Sequence, residues 1–196
     1  YQHLPWLTAQ RCPQCALPTP DGSVCGACLS HAPRFDAVRA AFAYAWPLAP
    51  LIHDYKYGGN LALARLLAHA LAHRVASHRV DLVIPMPLAP ARLRSRGFNQ
   101  SLEIARRVSR LTGVKLAAEV CRRVRDSAPQ AALPWRERRR NIRNAFVCDA
   151  DLSGMRVAVI DDVMTTGATL NEIARNLRQA GAVEIQGWMV ARTLPR

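Results

Sequence analysis

The residues around Asp161 and Asp162 restrict this chain to a small set of folds. Residues 157–160 form a continuous apolar run, typical of a strand buried on both faces of a parallel sheet. The two carboxylates follow at the end of that strand, where open α/β sheets bind ligands. The loop that comes next consists of Thr165, Thr166, Gly167, Ala168 and Thr169. Its hydroxyls and N–H groups lead into a helix and suit a phosphate dianion, so the sequence predicts a ribose 5-phosphate site.

A purely structural interpretation of the same residues is a strand–turn–helix junction in which Asp and Thr only cap the helix. The complete run, with a strand before it and a helix after it, favours the phosphate site. It is not a Walker loop, because no Gly-Lys-Ser/Thr follows a glycine-rich turn. It is not a dinucleotide fingerprint either, because Gly-x-Gly-x-x-Gly is missing.

Two Cys-x-x-Cys pairs near the start of the chain predict a small metal-binding head. They are separated by nine residues and comprise Cys12, Cys15, Cys25 and Cys28. Four thiolates at this spacing can close a tetrahedral, structural Zn²⁺ site, and about thirty residues cannot bury a core unaided. Two disulfides are the alternative, which a reducing compartment disfavours. The remaining cysteines, Cys121 and Cys148, are interpreted as buried small hydrophobic residues.

The rest of the chain alternates between strand and helix patterns. Strands are expected at 35–44, 81–84, 157–160 and 183–191, and helices at 49–57, 61–77, 100–112 and 168–180. This alternation predicts an α/β fold with a parallel sheet flanked by helices. The expected domains are the head at 1–33 and the α/β domain at 34–196.

The bulk composition restricts the setting. The 196 residues are 50% hydrophobic, enough for one α/β domain and a small appendage. No apolar run approaches the ~20 residues that span a bilayer, and the start of the chain does not resemble a signal peptide. The expected location is the cytoplasm, with the inner face of the membrane as a second location.

The acidic run and its loop resemble the phosphoribosyl-pyrophosphate (PRPP) signature of type I phosphoribosyltransferases. The resemblance implies that fold, with Asp161 and Asp162 contacting the ribose hydroxyls directly or through Mg²⁺ and the loop wrapping the 5-phosphate. Further segments resemble the ComF proteins, a branch linked to DNA uptake. These are Asp54 to Gly59, Pro85 to Pro87, Arg96 to Gln100, Gln130 to Phe146, and the cysteine head.

The resemblance implies PRPP contacts outside the signature. The loop that begins at Pro85, Met86 and Pro87 corresponds to the pyrophosphate loop of the superfamily. Arg96 is our first choice among the arginines near it for neutralising the pyrophosphate. Lys56, one of two lysines among 27 basic residues, is predicted to face a phosphate. The alternative for Lys56 is an exposed helix end.

A block of arginines lies in the second half of the α/β domain. It contains Arg136, Arg138, Arg139, Arg140 and Arg143, five arginines within eight residues. Trp135 lies beside it in the sequence and offers a stacking surface. The combination of arginines and an aromatic ring is typical of sites for single-stranded nucleic acid. Closure over PRPP and a solvated charged helix are the alternatives. The net charge of +13 likewise favours anionic partners without choosing among PRPP, nucleic acid and a lipid surface.

Two functions remain open at this stage. The first is a PRPP-binding protein that takes part in the uptake of single-stranded DNA, alongside a helicase-like partner that the resemblance implies. The second is an active nucleobase phosphoribosyltransferase of purine or pyrimidine salvage, which would release pyrophosphate from Mg²⁺-PRPP. A PRPP-sensing regulator is a third possibility, but no helix-turn-helix segment supports it.

Overall fold

The computed structural model of the protein describes residues 3–7, 10–125 and 142–195. Its strands are β1 (Ala37–Ala43), β2 (Leu82–Pro85), β3 (Lys115–Leu116), β4 (Cys121–Arg123), β5 (Phe146–Cys148), β6 (Arg156–Met164) and β7 (Glu184–Arg192). Its helices are α1 (Gly26–Ser30), α2 (Leu48–Tyr57), α3 (Ala62–Val75), α4 (Pro90–Arg96), α5 (Gln100–Thr112) and α6 (Ala168–Gln179).

A five-stranded sheet with the order β1-β7-β6-β2-β3 forms the centre of the molecule. Every neighbouring pair in it is parallel. Helices lie on both faces, because the apolar residues of the central strands pack to either side. The predicted α/β fold class, a parallel sheet with flanking helices, is therefore confirmed.

Strand β6 shows how the two halves of the core are built. Its side chains alternate, so that Val157 and Val159 pack with α6 while Ala158 and Ile160 pack with α3 and α5. All four residues are fully buried. A strand that is apolar on both faces can carry polar groups only at its ends, which places the acidic pair at the carboxyl edge of the sheet.

The topology creates a crevice at that edge. From β2 the chain runs outward through α5 to the neighbouring strand β3, whereas from β6 it runs in the opposite direction through α6 to β7. The carboxyl ends of β2 and β6 are therefore adjacent, and the loops that follow them diverge. This is the topological switch point at which open α/β sheets bind ligands.

The head packs directly on the sheet. The buried side chains of Cys12, Cys15 and Cys28 belong to the same hydrophobic cluster as the α6 face of the sheet. The Pro13 carbonyl accepts a hydrogen bond from the Val38 amide of β1 at 3.4 Å, and the Leu7 amide donates to the Ala41 carbonyl of the same strand at 3.0 Å. The predicted boundary at residue 33 stays a prediction.

Two features differ from the sequence-based expectation. Cys121 and Cys148 were expected to be free hydrophobic residues, but they form a disulfide. They are 27 residues apart, and the antiparallel pairing of β4 and β5 places them opposite each other. Helix α4 was not predicted, because its seven residues contain three arginines and no buried side chain to mark a face. In the described part of the chain, no helix has the length and apolar character needed to cross a membrane.

Candidate functional site: an acidic pair, an anion loop and a four-cysteine head

Asp161 lies in β6 directly after Ile160, the last residue of the strand that pairs with β2, and is held from two sides. Its Oδ1 accepts hydrogen bonds from the hydroxyl of Ser101 at 2.8 Å and from the Asp162 amide at 2.9 Å. The pKa of Asp161 is raised to about 7, chiefly because burial disfavours its charged form and also because the Asp162 carboxylate is adjacent. This carboxyl group is therefore partly protonated near neutral pH.

Asp162 points into the protein and is matched by a lysine. Its side chain is 4% exposed, and its Oδ1 lies 2.9 Å from Lys56 Nζ at the end of α2. The same oxygen accepts a hydrogen bond from the Val163 amide at 2.6 Å. Oδ2 is buried and has no hydrogen-bond partner in the described ranges. One oxygen of Asp162 thus remains available for a ligand donor.

Lys56 was predicted to face a phosphate, and its observed neighbour is the acidic pair. Burial lowers its pKa, but the carboxylates of Asp162 and Asp161 raise that pKa more, so the net shift is upward. Lys56 therefore stays charged. Its position at the switch point keeps it within the site, and its contact with a phosphate remains a prediction.

The predicted anion loop curves tightly between β6 and α6. Gly167 has φ = 79° and forms the N-cap of α6, a left-handed conformation that favours glycine. A Cβ atom on Gly167 would lie 2.6 Å from Met164 Cε. Thr165 and Thr166 are exposed, and Thr166 Oγ1 accepts a hydrogen bond from the Ala168 amide at 3.3 Å.

The loop surrounds a small cavity. The cavity has a volume of about 40 Å³, and its lining includes Asp161 and the five loop residues 165–169. N–H groups in the first turn of a helix lack intrahelical partners and attract anions. The loop and the first acid of the pair thus share one concave surface, and its use for a sugar phosphate stays a prediction.

The second predicted loop begins at β2. Pro85 and Met86 are buried, and the Met86 amide donates to the Ile160 carbonyl at 2.9 Å. Since proline has no N–H, this tripeptide has no free amide for a phosphate. The prolines restrict the backbone at the start of this loop, and the predicted contact of the loop with pyrophosphate stays a prediction.

Arg96 ends α4 and lies close to the crevice. Its Nη1 donates to Gln100 Oε1 at 2.6 Å, and its guanidinium stacks 5.0 Å from the centre of the Tyr57 ring. Tyr57 directly follows Lys56, so Arg96 and Lys56 approach the site from the same side. The structure gives Arg96 no carboxylate partner among the residues it describes, which leaves its charge available to an anion.

Two residues of the site were missed in the sequence. Ser101 binds Asp161, and it is placed by Asn99, whose side chain caps α5 by accepting from the Ser101 amide at 2.9 Å. An Asn before a helical pattern is a recognised signal for such a cap. The other is Arg192, at the end of the apolar strand β7, where one buried arginine interrupts a hydrophobic run.

The four predicted metal ligands come together. The sulfur atoms of Cys12, Cys15, Cys25 and Cys28 all lie within 4.8 Å of one another. The sulfurs of a tetrahedral Zn²⁺ site are about 3.8 Å apart, given Zn–S bonds of about 2.3 Å. Burial raises the pKa of Cys15 to about 11, a cost that metal binding offsets because it stabilises the thiolate. The cluster can therefore hold a metal ion such as zinc.

The arginine block lies mainly outside the described residues. Arg136, Arg138, Arg139 and Arg140 fall in the undescribed segment, and Arg143 is exposed. Arg143 and Arg34 line a cavity of about 630 Å³ that also touches Ala168 at the start of α6. A basic cavity thus adjoins the anion loop.

Comparison with known proteins identifies relatives over most of the chain. DNA utilization protein YhgH from an Escherichia coli strain is 37% identical over 191 residues, which is 93% of this chain and 84% of that protein. Competence protein F from Haemophilus influenzae is 36% identical over 178 residues, 86% of this chain and 78% of that protein. Competence protein ComFC from Streptococcus pneumoniae is 25% identical over 154 residues, 79% and 67% of the two chains.

The chain belongs to the family of these competence and DNA utilization proteins, the ComF family that its sequence resembles. No family model matches it. Solved structures similar to it include a purine phosphoribosyltransferase from Pyrococcus horikoshii, with a TM-score of 0.45 and 21% identity. That match covers 66% of this chain and 83% of the other.

The raised pKa of Asp161 predicts a pH-dependent change in stability. An acid whose folded pKa lies above its unfolded value stabilises the fold at low pH, and this contribution is lost as the pH rises from about 4 through 7. Asp161→Asn should therefore raise the free energy of unfolding at pH 8 by on the order of 2 kcal/mol, and by almost nothing at pH 4. Urea denaturation at both values tests this, with exposed Glu119→Gln as the control. Equal stability of the variant and the wild type at pH 8 would contradict it.

The cysteine geometry predicts one bound metal per chain. Cys25→Ser removes one of the four ligands, so zinc retained after dialysis should fall from one equivalent to nearly none. Elemental analysis of the purified protein measures this. The double variant Cys121→Ser, Cys148→Ser is the control, since it removes the disulfide outside the cluster without leaving a free thiol, and it should keep one equivalent. A full equivalent in Cys25→Ser would contradict the site.

Proposed function

We propose that the protein binds PRPP at the switch point of the sheet. The observation that carries the proposal is that Asp161, the first acid of the pair, and the anion loop share one concave surface. In this arrangement the loop at 165–169 holds the 5-phosphate through N–H groups and hydroxyls. Asp161 accepts hydrogen bonds from the ribose hydroxyls, and the buried Oδ2 of Asp162 would accept one only after a movement that exposes it.

The pyrophosphate of PRPP would extend toward the loop after β2. Lys56 and Arg96 approach the crevice from that side and supply positive charge. The donor set also fits Mg²⁺, since Asp162 Oδ2 is buried without a partner in the described ranges and Mg²⁺ prefers oxygen ligands. When bound, that ion would add positive charge near the pyrophosphate.

Titration calorimetry tests PRPP binding. Metal-loaded wild-type protein should bind Mg²⁺-PRPP saturably, and the double variant Asp161→Asn, Asp162→Asn should bind at least about tenfold more weakly, because two ribose acceptors become amides. Asp151→Asn, an exposed carboxylate away from the loop, is the control and should bind as the wild type does. A folded wild type that does not bind PRPP would overturn the proposal.

Turnover is the alternative within the same site. A nitrogen of a nucleobase would attack the anomeric carbon of the ribose. The new carbon–nitrogen bond would form as the bond between that carbon and the pyrophosphate oxygen breaks, and pyrophosphate would leave with the electron pair. Release of pyrophosphate in the presence of individual purine and pyrimidine bases distinguishes this enzyme from a protein that only binds PRPP.

We also propose that the protein binds single-stranded DNA, as the names of its relatives suggest. The supporting observation is the basic cavity beside the anion loop, lined by Arg34, Arg143 and Arg175. Arg175 is paired with Glu172 at 2.7 Å, so the exposed Arg34 and Arg143 are the better candidates for phosphate contacts. The predicted role of Arg136, Arg138, Arg139 and Arg140 is part of the same proposal, as is a helicase-like partner.

Salt dependence tests the DNA interface. The double variant Arg34→Ala, Arg143→Ala should bind an oligothymidine more weakly, with a slope of log affinity against log salt flatter by about 1.4, because two phosphate contacts are lost at about 0.7 each. Arg106→Ala, which removes an exposed arginine on α5, should leave the slope unchanged. Unchanged affinity and slope in the double variant would exclude this cavity as the DNA site.

A further inference from the structure

Arg192 is a buried cation without a carboxylate partner. It is 4% exposed at the carboxyl end of β7, and no described Asp or Glu forms an ion pair with it. Its guanidinium instead donates hydrogen bonds to main-chain oxygens. Burial of a charged group without a counter-charge has a large desolvation cost, which indicates that these contacts have a specific role. The proposed PRPP site does not use Arg192 as a ligand contact.

The hydrogen bonds of Arg192 connect the anion loop to the head. Nη1 donates to the carbonyls of Met164 at 3.1 Å and Thr193 at 2.8 Å, and also to the carbonyl of Thr165. Thr165 is the first residue of the anion loop. Nε donates to the carbonyl of Cys15 at 2.9 Å, and Cys15 is one of the four metal ligands. One side chain therefore contacts the start of the loop and a cysteine of the cluster.

The space around this bridge is otherwise open. A cavity of about 360 Å³ lies between the head and the loop, lined on one side by Cys15 and Cys28 and on the other by Thr166 and Gly167. Arg192 itself lines the cavity. The guanidinium is thus a polar connection between the head and the loop at the edge of this cavity.

The electrostatics of the bridge depend on the state of the cysteines. Four thiolates around a divalent cation leave a net negative cluster, which attracts a nearby guanidinium. The metal also fixes the Cys15 main chain, whose carbonyl is the acceptor for Nε.

We propose that Arg192 is a positioning residue that couples the metal state of the four-cysteine head to the phosphate affinity of the loop. A metal-loaded head holds Arg192, Arg192 holds the Met164 and Thr165 carbonyls, and the N–H groups of the following turn stay oriented toward the phosphate. The inference rests on the proposed sugar-phosphate site. It predicts reciprocal linkage: a bound sugar phosphate tightens metal binding by the same factor by which metal tightens phosphate binding.

The test is a chelator competition on the metal-loaded protein. Zinc affinity is measured with and without saturating ribose 5-phosphate, and ribose 5-phosphate affinity is measured by calorimetry on the same sample. The wild type should hold zinc about 5- to 10-fold more tightly in the presence of the sugar phosphate. Arg192→Met should keep one zinc, bind ribose 5-phosphate at least about tenfold more weakly, and show no linkage.

Arg178→Met is the matched control. Arg178 also donates to main-chain carbonyls, those of Ala182 and Val183, but far from the loop, and its loss should leave the linkage intact. Arg192→Lys keeps the charge but loses the fork of donors, so it should retain only part of the linkage. If Arg192→Met does not fold, Arg192→Lys and the wild-type linkage decide the question.

The possible failures are distinguishable. A wild type that binds ribose 5-phosphate but holds zinc equally well with and without it would overturn the coupling and leave the proposed function standing. Linkage that persists in Arg192→Met would also overturn the role of Arg192. A wild type that binds neither ribose 5-phosphate nor PRPP would overturn both proposals.

Discussion

The two-sided burial of β6 is the constraint on which the site depends. Four consecutive apolar residues place this strand in the middle of the core, with helices on either side. The chain becomes polar where the pairing with β2 ends and β6 continues beside β7, and there it presents two adjacent carboxylates. The neighbouring β2 ends at the same edge, and the connections that leave the two strands diverge. A crevice with an acidic wall follows from this topology.

Burying two acids side by side has an electrostatic cost that the surrounding elements offset. Lys56 from α2 neutralises Asp162, and Asp161 reduces its own charge through a raised pKa. Ser101 adds a hydroxyl donor to Asp161 from the start of α5. Two elements distant in sequence, α2 and α5, thus converge on the acidic pair of β6. This arrangement explains why Lys56 lies beside the two carboxylates: its positive charge offsets the cost of burying them.

Much of this could be predicted from the sequence because its signals are local. An apolar run, an acidic pair and a helix start fix the strand, the loop and their order, and two Cys-x-x-Cys pairs fix the cluster. The contacts that complete the site are long-range and carry no local signal. Arg192 and Cys15 are 177 residues apart, and Lys56 and Asp162 meet only because α2 ends beside β6. The Cys121–Cys148 pairing required the register of β4 and β5 for the same reason.

The charge state of the site also bears on the choice between binding and turnover. Breaking the bond between the anomeric carbon and the pyrophosphate develops positive charge on the ribose, and negative charge nearby stabilises that transition state. Here a lysine neutralises one acid and burial partly protonates the other near neutral pH. Both changes reduce the negative charge but leave oxygens that accept hydrogen bonds from ribose hydroxyls. For the proposed PRPP complex, this charge distribution favours binding over cleavage, and a ligand that displaces Lys56 from Asp162 would shift the balance toward catalysis.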